Sequence, residues 1–160
     1  MSSKSPTALN AKISKTTKIA VIAARFNQSI VEKLLTGCLN RLQELGVTPS
    51  QISIHHVPGA FELPLAAKWA AQSKKFAAVI CLGAVIRGQT PHFDFVAGQA
   101  ARGISRVSLD EELPIIFGVL TTNNESQARA RAGGKHGHAG RRAADAAVEM
   151  IALKNELGHR

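Results

Sequence analysis

Four times along this chain a short, almost uniformly apolar run is followed, after a turn, by a longer stretch whose apolar residues recur at three- and four-residue steps. The short runs read as strands buried on both faces, and the longer stretches as amphipathic helices. Strands and helices that alternate in this way predict a parallel sheet with right-handed crossovers and helices on both faces. Strands are expected at 18–24, 51–57, 77–82 and 115–120. Helices are expected over about 30–45, ending at a Gly46 cap, over 61–72 with Pro64 in its first turn, and from near His92 to Leu109. A further helix starts near Asn124, with Thr122 and Glu125 spaced as a capping box, and the last covers about 140–157. Gly133-Gly-Lys-His-Gly-His-Ala-Gly140 should break or kink the chain between these last two helices.

A length of 160 residues with 45% hydrophobic content suits one domain, expected over residues 18–160 behind a polar segment at 1–17. The first ten residues contain no apolar h-region, and no apolar run is long enough to span a bilayer, so a cytoplasmic chain without membrane contact is expected. The basic, Ser/Thr-rich opening also fits a remnant of an organelle transit peptide. Cys38 and Cys81 lie in apolar patterns without metal-ligand spacing and read as small buried hydrophobes.

The formal charge of +9 invites a nucleic-acid reading, but its distribution opposes one. Residues 26–125 carry eight basic and eight acidic side chains, so the surplus sits at the two ends. One Trp, no Tyr and six scattered Phe provide no basic stripe interleaved with aromatics. An anionic small ligand is the better expectation, with no nucleic-acid partner.

In open parallel sheets, ligands bind beyond the carboxyl ends of the strands, near a topological switch point. That rule selects Arg25-Phe-Asn27, Pro58-Gly-Ala-Phe-Glu62, the residues from Gly83 to His92, and Thr121-Thr-Asn-Asn124. Gly83-Ala-Val-Ile-Arg-Gly88, expected as a loop, lacks both the Lys-Ser/Thr ending of a P-loop and the spacing of a dinucleotide fingerprint. Its amides, Thr90 and the following helix N-terminus could still hold a phosphate, although an ordinary βα turn explains the glycines equally well.

His92, at the start of that helix, could move protons or simply occupy the surface. Phe26 and Phe61 could wall a flat heterocycle or pack in the core. Glu62 could accept hydrogen bonds from a ring or favour its own helix start, and Arg131 could pair with phosphate or suit the end of its helix. His55 and His56 are expected to straddle the sheet. His136 and His138 lack the companion ligands of a zinc site, and no metal is expected.

Taken in order, Arg25-Phe-Asn27, Val57-Pro-Gly-Ala-Phe-Glu62, Gly83-Ala-Val-Ile-Arg-Gly88 with Thr90 and His92, and Gly118-Val-Leu-Thr-Thr122 resemble the 6,7-dimethyl-8-ribityllumazine synthase family, from about residue 18 to 153. The resemblance implies a flavodoxin-like three-layer α/β/α sandwich on a four-stranded parallel sheet. It implies a transferase that condenses 5-amino-6-(D-ribitylamino)uracil with 3,4-dihydroxy-2-butanone 4-phosphate, without a cofactor, in riboflavin biosynthesis.

By the same resemblance Phe26 stacks on the pyrimidine, Ala60, Phe61 and Glu62 receive the ribityl chain, and Ala84, Val85 and Ile86 line the ring through backbone. Phe117 comes from a neighbouring subunit. Gln89 and Thr90 hold phosphate with a neighbour's Arg131, which is also assigned to catalysis, and His92 is the proton donor. The implied homo-oligomer is a pentamer assembled into an icosahedral 60-subunit shell, able to enclose riboflavin synthase, with the leader adding an edge strand to a neighbour. In one place the chain departs from the family. Ala139 stands where many members carry Lys, leaving Arg141 or Arg142 as the candidate second cation. A non-catalytic flavin- or lumazine-binding shell of the same fold is the alternative that this departure raises.

Overall fold

The computed structural model describes residues 12–159. Strand β1 (Ile19–Ala24) leads to helix α1 (Gln28–Glu44), β2 (Ile52–Val57) to α2 (Leu63–Gln72), and β3 (Ala78–Ile86) to α3 (His92–Glu111). Strand β4 (Ile115–Thr122) is followed by α4 (Glu125–Arg131), a short antiparallel hairpin of β5 (Ala132–Gly134) and β6 (Gly137–His138), and α5 (Ala139–Glu156). All pairings in the four-stranded sheet are parallel, in the order β2-β1-β3-β4.

Alternation along the two central strands explains the three layers. Ile19, Val21 and Ala23 of β1, with Ile80 and Leu82 of β3, pack on one face with Ile30, Leu34 and Cys38 of α1 and Ala144, Ala147 and Val148 of α5. Ala20 and Ile22 of β1, with Val79 and Cys81 of β3, pack on the other with Leu63 and Ala67 of α2 and Ala100 and Ile104 of α3. Successive side chains on a strand point to opposite faces, so a strand buried on both must be apolar throughout. Edge strand β2 escapes that demand, and both His55 and His56 on it are exposed.

Cys38 and Cys81 are free and buried, and burial pushes both thiols up to about 12, as expected of inert apolar side chains. Gly46 follows α1 at φ 88°, where a residue with a Cβ would be strained. Two charged side chains of α1 tie it to α5: Arg41 donates to Asp145 at 2.7 Å, and Glu44 receives both terminal nitrogens of Arg141 at 2.9 and 2.7 Å. Those bonds from Arg141, and then from Arg41, hold the Glu44 carboxyl down at about 2.

Two sequence expectations change. Residues 83–86 are not loop; they continue β3, because β4 runs on beside them to the Ile86–Thr122 pair. The first helix after β4 is capped not by Thr122 but by Asn124, whose side chain accepts from the Gln127 amide at 2.9 Å. Thr122 is instead the buried last residue of β4 and donates to the Asn124 carbonyl at 3.0 Å. The glycine segment does break the helix, and the break takes the form of a hairpin.

The expected edge strand of the leader falls mainly on residues 1–11, outside those described. The end of the leader that is described is fastened by Gln51, whose side chain donates to the carbonyls of Ser14 and Thr17 at 2.9 and 2.8 Å. No helix among the described residues is long and apolar enough to cross a membrane.

Candidate functional site

The strand order has its switch point between β1 and β3, since the chain leaves β1 toward β2 on one side and returns to β3 on the other. Pairing of β1 with β3 stops at Ala23–Leu82, whereas β3 continues four residues further along β4 to Ile86. Residues 83–86 are thus paired on one side only, and their free edge borders a cleft of about 700 Å³. Phe26, Ala60, Phe61, Glu62, Ala84, Val85, Ile86, Thr90 and His92 all line this cleft.

Local hydrogen bonds place each wall. Past the end of β1, the Arg25 and Phe26 amides donate to the carbonyls of Val57 and Pro58 at 2.8 and 3.0 Å, holding Phe26 against the Pro-Gly turn. Asn27 takes a left-handed conformation at φ 57°, one that Asn tolerates better than most residues. Its side-chain amide donates to the Ala84 carbonyl at 2.8 Å, tying the first loop to the projecting end of β3.

Gly83 packs closely at the floor, where a Cβ would come within 3.3 Å of Leu63 and into contact with Ala24 and Ala60. Glu62 Oε2 accepts from the Gly59 amide at 2.9 Å, fixing the carboxylate at the rim beside the exposed Phe61 ring.

The far wall is the start of α3. Arg87 stacks over the Phe93 ring at 4.2 Å and donates to Asp94 at 3.0 Å, bracing the loop that delivers Thr90 and His92. His92 is exposed on the cleft side, and its backbone amide lies 3.4 Å from the Thr90 hydroxyl. Phe26 is 72% and Phe95 68% exposed, a large apolar surface to leave wet around one cavity. A flat ring could stack there while Glu62, the strand edge and His92 supply polar contacts along its rim.

Three expected residues do not line the cleft. Gln89 sits exposed on the loop, Phe117 is 43% exposed on edge strand β4, and Arg131 ends α4, donating to the Gln127 carbonyl at 3.0 Å. Phe117 borders a separate groove of about 280 Å³ with Ala139 and Arg142. Conversely Asn27, Phe93, Phe95 and Val96 line the cleft without having been singled out as site residues. The signal for Phe95 was available: three residues after His92, it shares that helix face. Among the described residues, no group of three or more His, Cys, Asp or Glu is arranged to hold a metal ion.

Fold and cleft together define a flavodoxin-like α/β protein with a ligand-sized site at the carboxyl ends of its central strands. The profile of the 6,7-dimethyl-8-ribityllumazine synthase family matches residues 16–155. A 6,7-dimethyl-8-ribityllumazine synthase of Coxiella burnetii (strain CbuG_Q212) is 54% identical over 140 residues, covering 88% of this chain and 93% of the relative. One of Protochlamydia amoebophila (strain UWE25) is 50% identical over 140 residues, covering 88% and 81%. The chain belongs to the 6,7-dimethyl-8-ribityllumazine synthase family.

Proposed function

We propose that this protein, acting through one domain over residues 18–160, condenses 5-amino-6-(D-ribitylamino)uracil with 3,4-dihydroxy-2-butanone 4-phosphate. The products are 6,7-dimethyl-8-ribityllumazine, phosphate and water, in the penultimate step of riboflavin biosynthesis. The observation that carries this reading is the convergence of Phe26, Phe61, Glu62, the free edge of residues 84–86, and His92 on one cleft.

Phe26 stacks on the pyrimidine and is covered by it, while the backbone of Ala84, Val85 and Ile86 pairs with the ring edge. Ala60, Phe61 and Glu62 hold the ribityl chain, whose hydroxyls donate to the carboxylate oxygen that Gly59 leaves open. The substrate amine attacks the ketone and water leaves to give an imine, phosphate is expelled, and the second ring closes with loss of water. Each step transfers a proton, and His92 lies at the cleft wall to carry it, a role worth roughly 10²- to 10⁴-fold. Holding two substrates in register contributes as well, since it makes their encounter effectively intramolecular.

Gln89 and Thr90 receive the phosphate, and Arg131 and Phe117 complete the site from a neighbouring subunit of a homo-oligomer. Neither Arg131 nor Phe117 lines the cleft of its own chain, which supports that division, as does the exposed apolar surface of Phe117. The assembly is a cytoplasmic shell of pentamers, enclosing riboflavin synthase. The alternative, a non-catalytic flavin- or lumazine-binding shell, has only Ala139 in its favour and leaves the placement of His92 and Thr90 without a purpose.

The test is to mix purified protein with both substrates and follow the lumazine product. Product formed well above the uncatalysed rate is expected, and none above that background would contradict the reading. A monomer in native mass spectrometry would contradict the shared site.

A further inference from the structure

From Arg131 through the hairpin to the start of α5 the chain carries Arg131, Lys135, Arg141 and Arg142, and among the described residues only Arg141 of these has a carboxylate partner. Arg41 pairs with Asp145 and Glu44, Arg129 with Glu125, and Arg141 with both carboxylate oxygens of Glu44. Arg142 has no carboxylate partner among the described residues. The first turn of α5 holds no acid, so its arginines stand at the positive end of the helix dipole. For Arg141 that opposition is offset by Glu44; for Arg142 no carboxylate among the described residues offsets it.

The side chain of Arg142 lies beside the hairpin and a groove. A Cβ added at Gly137 would lie 2.9 Å from its Nη1, so the guanidinium lies across the turn of the β5–β6 hairpin. Strand β5 begins at the residue after Arg131, and Ala132 pairs directly with His138, which precedes the first turn of α5 that carries Arg142. Arg142 also borders the groove of about 280 Å³ that contains Phe117. Ala139, one turn earlier on the same wall, neither fills that groove nor supplies a charge.

We infer that Arg142 is a second phosphate-binding arginine, presented with Phe117 and Arg131 on the face that one subunit turns toward its neighbour's cleft. The inference rests on the function proposed above and chooses between the two candidates for the second cation. Arg141 is committed to joining α1 and α5, whereas Arg142 is available. A planar guanidinium with several donors suits a phosphate monoester, which accepts paired charge-assisted hydrogen bonds.

The test compares the unaltered oligomer with Arg142→Ala, Arg142→Lys and Arg141→Ala. Steady-state KM is measured for each substrate separately, and inorganic phosphate is titrated calorimetrically. Arg142→Ala should raise KM for the phosphorylated substrate roughly tenfold or more and weaken inorganic phosphate comparably, leaving KM for the pyrimidine within about twofold. Arg142→Lys should recover much of the loss, as a remaining cation would. Arg141→Ala should lower Tm without changing phosphate affinity.

Unchanged phosphate affinity and KM in Arg142→Ala would overturn the inference, as would an equal rise in both KM values. Lack of product from the unaltered protein would overturn the proposed function instead, so the two failures are distinguishable.

Discussion

The cleft at the ends of β1 and β3 and the face formed by β4, the hairpin and α5 differ in how their functional groups are satisfied. In the cleft, one chain supplies a cavity, aromatic walls, a braced loop and a histidine, all within reach of a single ligand. On the other face Phe117, Arg131 and Arg142 are spread over edge and hairpin, and none of the three lines the cleft. On the function proposed above, the first region is a site lacking part of its surroundings, and the second supplies binding groups without a large cavity of its own. Two incomplete surfaces of opposite deficiency are what a site shared between identical subunits requires of each one.

Substitutions can break this comparison, and the largest effect belongs to the cleft. His92→Ala should lower kcat roughly 10²- to 10⁴-fold with a smaller change in either KM. An unchanged kcat would remove His92 from proton transfer. Next comes the opposite face: Arg131→Ala should weaken the phosphorylated substrate by about 2 kcal/mol while sparing the pyrimidine, as steady-state KM values would show. Equal damage to both substrates would mean that Arg131 supports the fold rather than the phosphate.

Phe26→Ala should cost about 1 kcal/mol of pyrimidine binding, read from its dissociation constant. The change should scarcely move Tm, because the ring is 72% exposed in the chain. The smallest effect concerns the hairpin and pH. Burial first, and then Arg141 and Arg142, pull the His138 imidazole below its ordinary 6.5, against the opposing Lys33 carbonyl. The fold therefore favours neutral His138. Its contribution is complete above pH 6.5 and is lost as pH falls below that value toward the depressed folded pKa. Tm should decline over that interval, and His138→Asn should flatten the decline.

Much of the fold was legible because both faces of the central strands are buried. Burial on both sides forces the unbroken apolar runs of β1 and β3, and one-sided burial forces the stepped pattern of α1, so periodicity alone located them. The end of β3 was not legible. Gly83 suggests a turn by composition, yet it serves close packing against Leu63, and the strand continues because β4 lies beside it. That information is held in a partner 36 residues away, since Gly83 pairs with Val119 and Ile86 with Thr122. The Asn124 cap was missed for a simpler reason. Thr122 and Glu125 have the right spacing, but Thr122 is consumed by the ladder.

Within the site, residues at strand ends were identifiable from the switch-point rule and Phe95 from its spacing to His92, but Phe93 was not, because its role depends on how α3 is turned. Arg141 and Arg142 are indistinguishable in sequence. Only the proximity of Glu44, almost a hundred positions away, separates a structural arginine from an available one.

Co-assembly of two inactive variants tests the shared site most directly. His92→Ala and Arg131→Ala chains would be unfolded together, mixed in equal amounts, reassembled and assayed for lumazine formation. If one subunit supplies the cleft and its neighbour the arginine, random mixing leaves about a quarter of the sites with both intact, and activity should return to that level. If both residues serve the same chain's site, every site in the mixture is defective, and activity no higher than that of the separate variants would contradict the account.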